Sequence, residues 1–146
     1  MAAPGTREAL DPRWIIVADG DEASGNLLAD LLRVRGFWAY PTTLGAEALR
    51  VARTLRLALA VVDVALRDMD GNDLAACLRG IDSRLPVVMT SADPRPDVEV
   101  RARQVGIVHY AHKPLDHRLL EAIVAQVGRV RYQVLNATGR KRLPHA

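Results

Sequence analysis

Five polar residues lie at or just after the carboxyl ends of apolar runs of strand length: Asp19, Asp21, Asp63, Ser91 and Lys113. Clustered carboxylates repel one another and need a cation, and oxygen-only ligands favour a hard divalent ion such as Mg²⁺. A metal, a hydroxyl donor and an ammonium together can hold a phosphoryl group, and a carboxylate can be the nucleophile that accepts it. Asp63 is the best placed acceptor because it ends the central apolar run.

Lys113 is the most informative of these residues. The chain has 18 arginines and only two lysines, so a lysine at a strand end indicates a need for a compact point charge. Pro114 follows it and predicts a fixed backbone there, with a cis bond as one way to achieve this. Simpler roles remain open for the others: Asp19 or Asp21 could cap the first helix, and Ser91 could be an ordinary loop hydroxyl.

The elements that must position these residues alternate regularly. Apolar runs of strand length cover residues 14–18, 37–40, 57–64, 86–92 and 106–111, and helical patterns lie between and after them. The third and fourth runs are continuous rather than alternating, as in strands buried on both faces of a parallel sheet. The order predicts an α/β fold, a doubly wound five-stranded parallel sheet flanked by helices on both faces.

In such a sheet, ligands bind outside the carboxyl ends of the strands. The polar residues above follow the first, third, fourth and fifth runs, so we expect them to meet at one edge. The helical patterns differ in strength. Thr43 is the predicted N-cap of the second helix, and residues 96–106 form the weakest helix because their apolar face is small.

Composition limits the class of protein. The chain has 146 residues, 49% of them apolar, which suits one domain, and no apolar run is long enough to cross a membrane. A single cysteine, Cys77, excludes an internal disulfide and is expected to be buried in a helix of a cytoplasmic protein. We expect a disordered lead at 1–12, a folded domain at 13–130 and a basic tail at 131–146.

The net charge of +3 resides in the C-terminal part of the chain. Five bases and no acids lie beyond residue 128. A short basic tail can contact nucleic acid or acidic partners, but no helix-turn-helix pattern or aromatic platform accompanies it. We therefore expect neither nucleic-acid nor membrane binding, and the sequence does not set an oligomeric state.

Taken together, the motifs resemble the receiver domain of bacterial two-component response regulators, of the flavodoxin-like, single-domain chemotaxis type. The matching features are the acid after the first strand, the aspartate ending the third, Gly71 eight residues later, "TSA" after the fourth and "KP" after the fifth. The resemblance covers roughly residues 13 to 130.

The resemblance implies a function and a set of roles. Asp63 would accept a phosphoryl group from a phosphohistidine on a histidine kinase or phosphotransfer protein, beside a bound Mg²⁺. Ser91 would be the switch hydroxyl, Lys113 the phosphate-binding lysine and Tyr110 the switch aromatic, which rotates inward after phosphorylation. The Ala65 backbone carbonyl would be a further metal ligand. The output would be altered binding of a downstream protein target, not enzymatic turnover.

One position departs from the family pattern. Receivers usually carry two adjacent acids after the first strand, and the second binds the metal directly. Here Asp19 occupies the first position and Gly20 the second, so Asp21 is left as a substitute ligand. We expect weak Mg²⁺ binding, which Gly20→Asp would tighten unless the glycine is needed for a positive φ.

Two alternatives remain. A pseudo-receiver would bind partners without being phosphorylated, which Gly20 favours and Asp63, Ser91 and Lys113 oppose. The stretch "DGDEA" also resembles the nucleophile motif of haloacid-dehalogenase-type phosphatases, with the first aspartate attacking and the second acting as acid and base. Those enzymes usually need a further acidic pair and a longer chain, and Asp63 would have no role in one.

Overall fold

The computed structural model describes residues 14–137, with side chains described as far as Arg129. Strands and helices alternate throughout this range. The strands are β1 (Trp14–Ala18), β2 (Trp38–Thr42), β3 (Leu57–Asp63), β4 (Val87–Ser91) and β5 (His109–His112). The helices are α1 (Glu22–Val34), α2 (Gly45–Ala52), α3 (Gly71–Ile81), α4 (Pro96–Arg103) and α5 (His117–Ala137).

The five strands form one sheet in the order β2-β1-β3-β4-β5, and every neighbouring pair is parallel. Successive residues of a strand point to opposite faces, so the continuous apolar runs supply two cores at once. Ile15 and Leu59 pack against α1 and α5, whereas Ile16 and Ala60 pack on the other face, with α2, α3 and α4. The predicted doubly wound sheet between two helical layers is confirmed.

The β3–α3 loop, residues 64–70, is folded tightly back on the end of β3. Ala65 and Asp70 form an isolated antiparallel bridge, and the Gly71 amide donates to the Val64 carbonyl over 2.8 Å. A Cβ at Gly71 would collide with the backbone carbonyl of Asp63, so only glycine permits this approach. The turn fixes the backbone that follows Asp63.

Helix α2 begins differently from the sequence prediction. Its N-cap is Leu44 rather than Thr43, and a leucine side chain cannot accept a hydrogen bond. Asp68 of the β3–α3 loop accepts instead, from the amides of Gly45 over 2.7 Å and Ala46 over 3.0 Å. A carboxylate 23 residues away in sequence thus caps the helix and ties α2 to the loop that follows Asp63.

Three other expectations can be compared with the structure. Cys77 is exposed, not buried, because it lies on the outer side of α3 while Leu74, Ala75 and Leu78 face the core. Helix α4 is anchored weakly, as expected, since Ala102 is its one buried residue. Helix α5 runs to Ala137, past the expected boundary at 130, while the lead at 1–12 and the tail beyond 137 lie outside the described residues.

The described helices fall short of the requirements for crossing a bilayer. None of them has both the length and the apolar character that a transmembrane span needs.

We expect Asp68→Ala to lower the free energy of unfolding by about 1 kcal/mol, the usual cost of losing an N-terminal helix cap. The backbone amides of Ala46 and Gly45 hold the pKa of Asp68 below its ordinary value. The stabilisation is therefore present above the unfolded pKa and lost as the pH falls through the folded one. Urea unfolding at neutral and acidic pH measures this.

The matched control is Glu121→Ala, which removes an exposed acid beyond the first turn of α5. An equal loss of stability in both variants, or a loss for Asp68→Ala that persists in acid, would contradict the capping role.

Candidate functional site

Lys113 lies between two buried carboxylates at the carboxyl edge of the sheet. Its Nζ donates to Asp19 Oδ1 over 2.9 Å and to Oδ2 over 2.8 Å, and lies 2.5 Å from Asp63 Oδ2. Asp19 is 5% exposed and Asp63 is 4% exposed. Buried charges require this kind of pairing, because an isolated one would lose its hydration without compensation. The predicted meeting of strand ends therefore occurs for these three residues.

Backbone amides hold the two carboxylates in place. Asp63 Oδ1 accepts from the amide of Ala65 over 2.9 Å, and Asp19 Oδ1 accepts from the amide of Asp21 over 2.9 Å. The peptide bond between Lys113 and Pro114 is cis, as the sequence suggested, and the Lys113 amide donates to the Ser91 carbonyl over 2.8 Å. The loop after β5 is thereby attached to the end of β4.

Opposing effects act on the pKa of Asp63. Burial raises the pKa of the Asp63 carboxyl above its ordinary value, and the charge of Asp19 adds to the effect, against the hydrogen bonds from Lys113 and Ala65. Burial alone would lower the pKa of Lys113, but its hydrogen bonds to both aspartates outweigh this and raise it. One ammonium thus serves two carboxylates that also repel each other.

Ser91 is fully buried and lines the same cleft as Asp63 and Lys113. Its Oγ accepts from the amide of Asp93 over 2.9 Å, a local turn that starts the β4–α4 loop. The neighbouring Thr90 is also buried and pairs in register with Asp63. The hydroxyl therefore lies in the cleft, where it is hydrogen-bonded to the backbone of its own loop.

Asp21 is placed differently from the buried acids. It is exposed, and its Oδ2 accepts from the Ser24 hydroxyl over 2.6 Å within the first turn of α1. That hydrogen bond holds the pKa of Asp21 below its ordinary value. Asp21 lines the mouth of the cleft and occupies the N-cap position of α1, but its side chain makes no capping hydrogen bond to a backbone amide.

Tyr110, the expected switch aromatic, faces inward in this structure. It is already buried, 7% exposed, and belongs to the core beneath α4. Its ring meets His112 edge-on at 5.2 Å between centroids, and its hydroxyl has no hydrogen-bond partner among the described residues. The physical reason is strand alternation: Tyr110 pairs with Met89 and faces the same side of the sheet.

The structure adds a residue that the sequence analysis did not single out. Arg67 lines the cleft, and its Nε donates to the Gly20 carbonyl over 3.1 Å. Its own amide donates to the Thr43 carbonyl over 3.2 Å. The one sequence signal is its place four residues after Asp63, which by itself does not show that the guanidinium reaches back to the β1–α1 loop.

Comparison with known proteins identifies the family. A family model described as the response regulator receiver domain matches residues 15–125. The chain belongs to the response regulator receiver family. Receivers are the signalling modules of two-component systems and are generally not enzymes, so membership favours the receiver interpretation over the phosphatase-like one.

Individual relatives agree. The polar-differentiation response regulator DivK of Brucella anthropi is 29% identical over 120 residues, covering 80% of this chain and 98% of DivK. The transcriptional regulatory protein PrrA of Mycobacterium tuberculosis is 33% identical over 116 residues, covering 80% of this chain and 48% of PrrA. The chain thus spans nearly all of DivK but about half the length of PrrA.

A solved structure shows the same fold. The CheY-like receiver domain protein from Methanospirillum hungatei JF-1 superimposes with a TM-score of 0.76 at 21% identity, covering 82% of this chain and 97% of that one.

Receivers typically bind Mg²⁺ in this acidic pocket, but the residues of this chain fit a divalent ion poorly. A Cβ at Gly20 would lie 2.5 Å from the Ala65 carbonyl oxygen, which leaves no room for a second acid there. The same oxygen already accepts from the Gly20 amide over 3.2 Å. Within the described residues, no three Asp, Glu, His or Cys side chains form a group able to hold a metal ion.

This geometry changes the expectation for Gly20. Its φ is not positive, so backbone conformation does not require glycine, but the close Ala65 carbonyl does. In Gly20→Asp the new carboxylate could act as a ligand only after the two loops of this receiver had moved apart. The energy of that movement opposes the expected tightening of Mg²⁺ binding.

We expect Asp63→Asn to raise the free energy of unfolding at neutral pH in metal-free buffer. The folded pKa of Asp63 lies above its ordinary value of 3.8, so the folded receiver holds this proton more tightly than the unfolded chain. The stability that this group contributes is fully present below 3.8 and is lost as the pH rises through the raised pKa. Asparagine does not titrate and avoids that loss.

Urea unfolding across this pH range measures the difference, and Asp73→Asn, at an exposed acid on α3, is the control. A neutral-pH loss of stability in Asp63→Asn would show instead that its ion pair with Lys113 outweighs burial and repulsion.

Proposed function

We propose that the chain is a phosphoryl-accepting receiver in which Asp63 is the phosphoacceptor. The observation that carries the proposal is the buried Asp63 carboxylate, fixed by the Ala65 amide and held against Lys113 in an open cleft of about 650 Å³. A related fold supports the chemistry: a response regulator from Burkholderia pseudomallei, 22% identical with a TM-score of 0.71, is described with a phosphorylated aspartic acid and a calcium ion.

The phosphoryl donor would be a phosphohistidine on a sensor histidine kinase or phosphotransfer protein. A carboxylate oxygen of Asp63 attacks phosphorus, the new O–P bond forms as the P–N bond breaks, and the imidazole leaves as a neutral ring that keeps the proton already on its other nitrogen. Lys113 exchanges part of its contact with the carboxylates for contact with the phosphoryl oxygens. Asp19 keeps the ammonium oriented, because it holds Lys113 through both oxygens.

A docking surface for the donor adjoins the cleft. Leu27, Leu31 and Leu115 line an apolar groove of about 460 Å³ that reaches Lys113, and Leu27 is 61% exposed. An apolar groove that shares a wall with the phosphoryl site can hold a partner so that its phosphohistidine faces Asp63. The downstream partner would recognise the phosphorylated form.

We expect wild-type protein treated with phosphoramidate and Mg²⁺ to gain the mass of one phosphoryl group, and Asp63→Asn to gain none. Asparagine lacks the anionic oxygen that attacks phosphorus. Intact-mass spectrometry measures the label, and Asp93→Asn, which changes another acid of the same cleft, is the control that keeps it. A label of the same lability on Asp63→Asn would overturn the assignment, and an unlabelled wild type would support the pseudo-receiver alternative.

We expect Leu27→Asp to slow phosphoryl transfer from a phosphohistidine protein at least about tenfold, because a buried charge at an apolar contact weakens docking. Labelling by phosphoramidate should not change, since that donor needs no groove. Val100→Asp makes the same change at an equally exposed site on α4 and is the control. Equal rates for all three proteins with the phosphohistidine donor would place docking elsewhere.

A further inference from the structure

We propose that Arg67 supplies, from the protein itself, the positive charge that this pocket needs for a phosphoryl group and that a divalent ion cannot readily supply here. The inference rests on the proposed function of Asp63 as acceptor. It concerns a different residue, which binds the incoming anion, and it predicts that phosphorylation depends only weakly on metal.

The pocket contains more negative than positive charge. Asp19 and Asp63 are buried and Lys113 is partly buried between them, so one ammonium faces two carboxylates before any phosphoryl group arrives. Transfer replaces one carboxylate charge with a more negative phosphoryl group, which adds to the repulsion from Asp19. A second cation is required for the phosphorylated state to be favourable.

The position from which receivers usually bind Mg²⁺ carries no acid in this chain. The position beside Asp19 is Gly20, and the Ala65 carbonyl closes on it to within a distance that excludes any side chain. The carbonyl oxygen points to the Gly20 amide, which donates to it. Asp21, the remaining candidate acid, is turned to Ser24 at the surface.

Arg67 lines the same cleft. Its Nε is anchored on the Gly20 carbonyl and its backbone amide on Thr43, so the residue is tied to both neighbouring loops. The two terminal nitrogens of its guanidinium form no hydrogen bond or ion pair within the described part of the chain. Two unpaired NH₂ groups with a fixed third nitrogen form the fork that binds phosphate oxygens.

A neighbouring arginine shows that this freedom is not general. Arg95 also follows a strand that ends at the pocket, but its guanidinium is bound to both oxygens of Asp93 over 2.7 to 3.1 Å. That ion pair occupies its Nε and one of its terminal nitrogens. Arg67 and Arg95 therefore form a matched pair, one available and one committed.

The test is phosphorylation of the full chain by phosphoramidate with EDTA and with Mg²⁺, followed by intact mass. In each case Asp63 attacks phosphorus, the P–N bond breaks, and the nitrogen leaves as ammonia with the proton that it already carries. We expect the wild-type rate in EDTA to stay within about tenfold of the rate with Mg²⁺. Arg67→Gln should lower the EDTA rate by about a hundredfold, the scale of one lost charge-stabilising group, whereas Arg95→Gln should leave it unchanged.

A second readout does not depend on phosphorylation. Removing a cation from the mouth of an acidic pocket should tighten Mg²⁺ binding, so calorimetric titration of unphosphorylated Arg67→Gln with MgCl₂ should show higher affinity than wild type or Arg95→Gln. Urea unfolding confirms that both exposed-site variants are folded.

The outcomes separate this inference from the proposed function. Labelling of wild type only with Mg²⁺ would overturn the role of Arg67 and leave Asp63 as acceptor. An unchanged EDTA rate or an unchanged Mg²⁺ affinity in Arg67→Gln would also overturn it. Absence of label on wild type under both conditions would defeat the proposed function itself.

Discussion

The Lys113 ammonium, held between the carboxylates of Asp19 and Asp63, is the contact on which the pocket depends. It joins the loop after β5 to the ends of β1 and β3, which the sheet order places as neighbours. Two buried carboxylates could not stay ionised side by side without it. The loops around the pocket therefore serve mainly to bring one lysine to the point where both acids can use it.

That requirement accounts for the tight loops at this edge of the sheet. The β3–α3 loop turns back at Gly71, presents the Ala65 amide to Asp63 and sends Asp68 across to cap α2. Ser91 lies at the start of the β4–α4 loop, and its carbonyl accepts a hydrogen bond from the Lys113 amide. Each loop thus makes one contact that orients a pocket residue and another that fixes a helix or strand.

The pocket resembles that of a receiver in most of its residues but differs at the position beside Asp19. Asp63, Lys113 and the buried Ser91 line one cleft, but the space beside Asp19 is closed by the Ala65 carbonyl. A glycine there is a packing requirement rather than a loss of one side chain. An arginine from the adjoining loop lies over this closed position, with its terminal nitrogens directed to no other described partner.

The sequence by itself determined the alternation of strands and helices, the burial of both faces of the sheet, and the set of polar residues at the strand ends. These features are local, since apolar periodicity and the residue that ends each run are both visible along the chain. It also indicated Lys113 as special through the rarity of lysine.

Only the tertiary structure decided which polar residues meet. In the structure, Asp21 accepts from Ser24, and Asp68 caps α2 in place of the expected Thr43. Tyr110 is buried beneath α4, and Cys77 is exposed. The tertiary structure also closed the space at Gly20 and brought Arg67 against its carbonyl. The Asp68 cap, the closed space at Gly20 and the position of Arg67 depend on distances between loops that are far apart in sequence, and the order of the strands in the sheet fixes those distances. The burial of Tyr110 and the exposure of Cys77 depend on which face of their strand and helix meets the core.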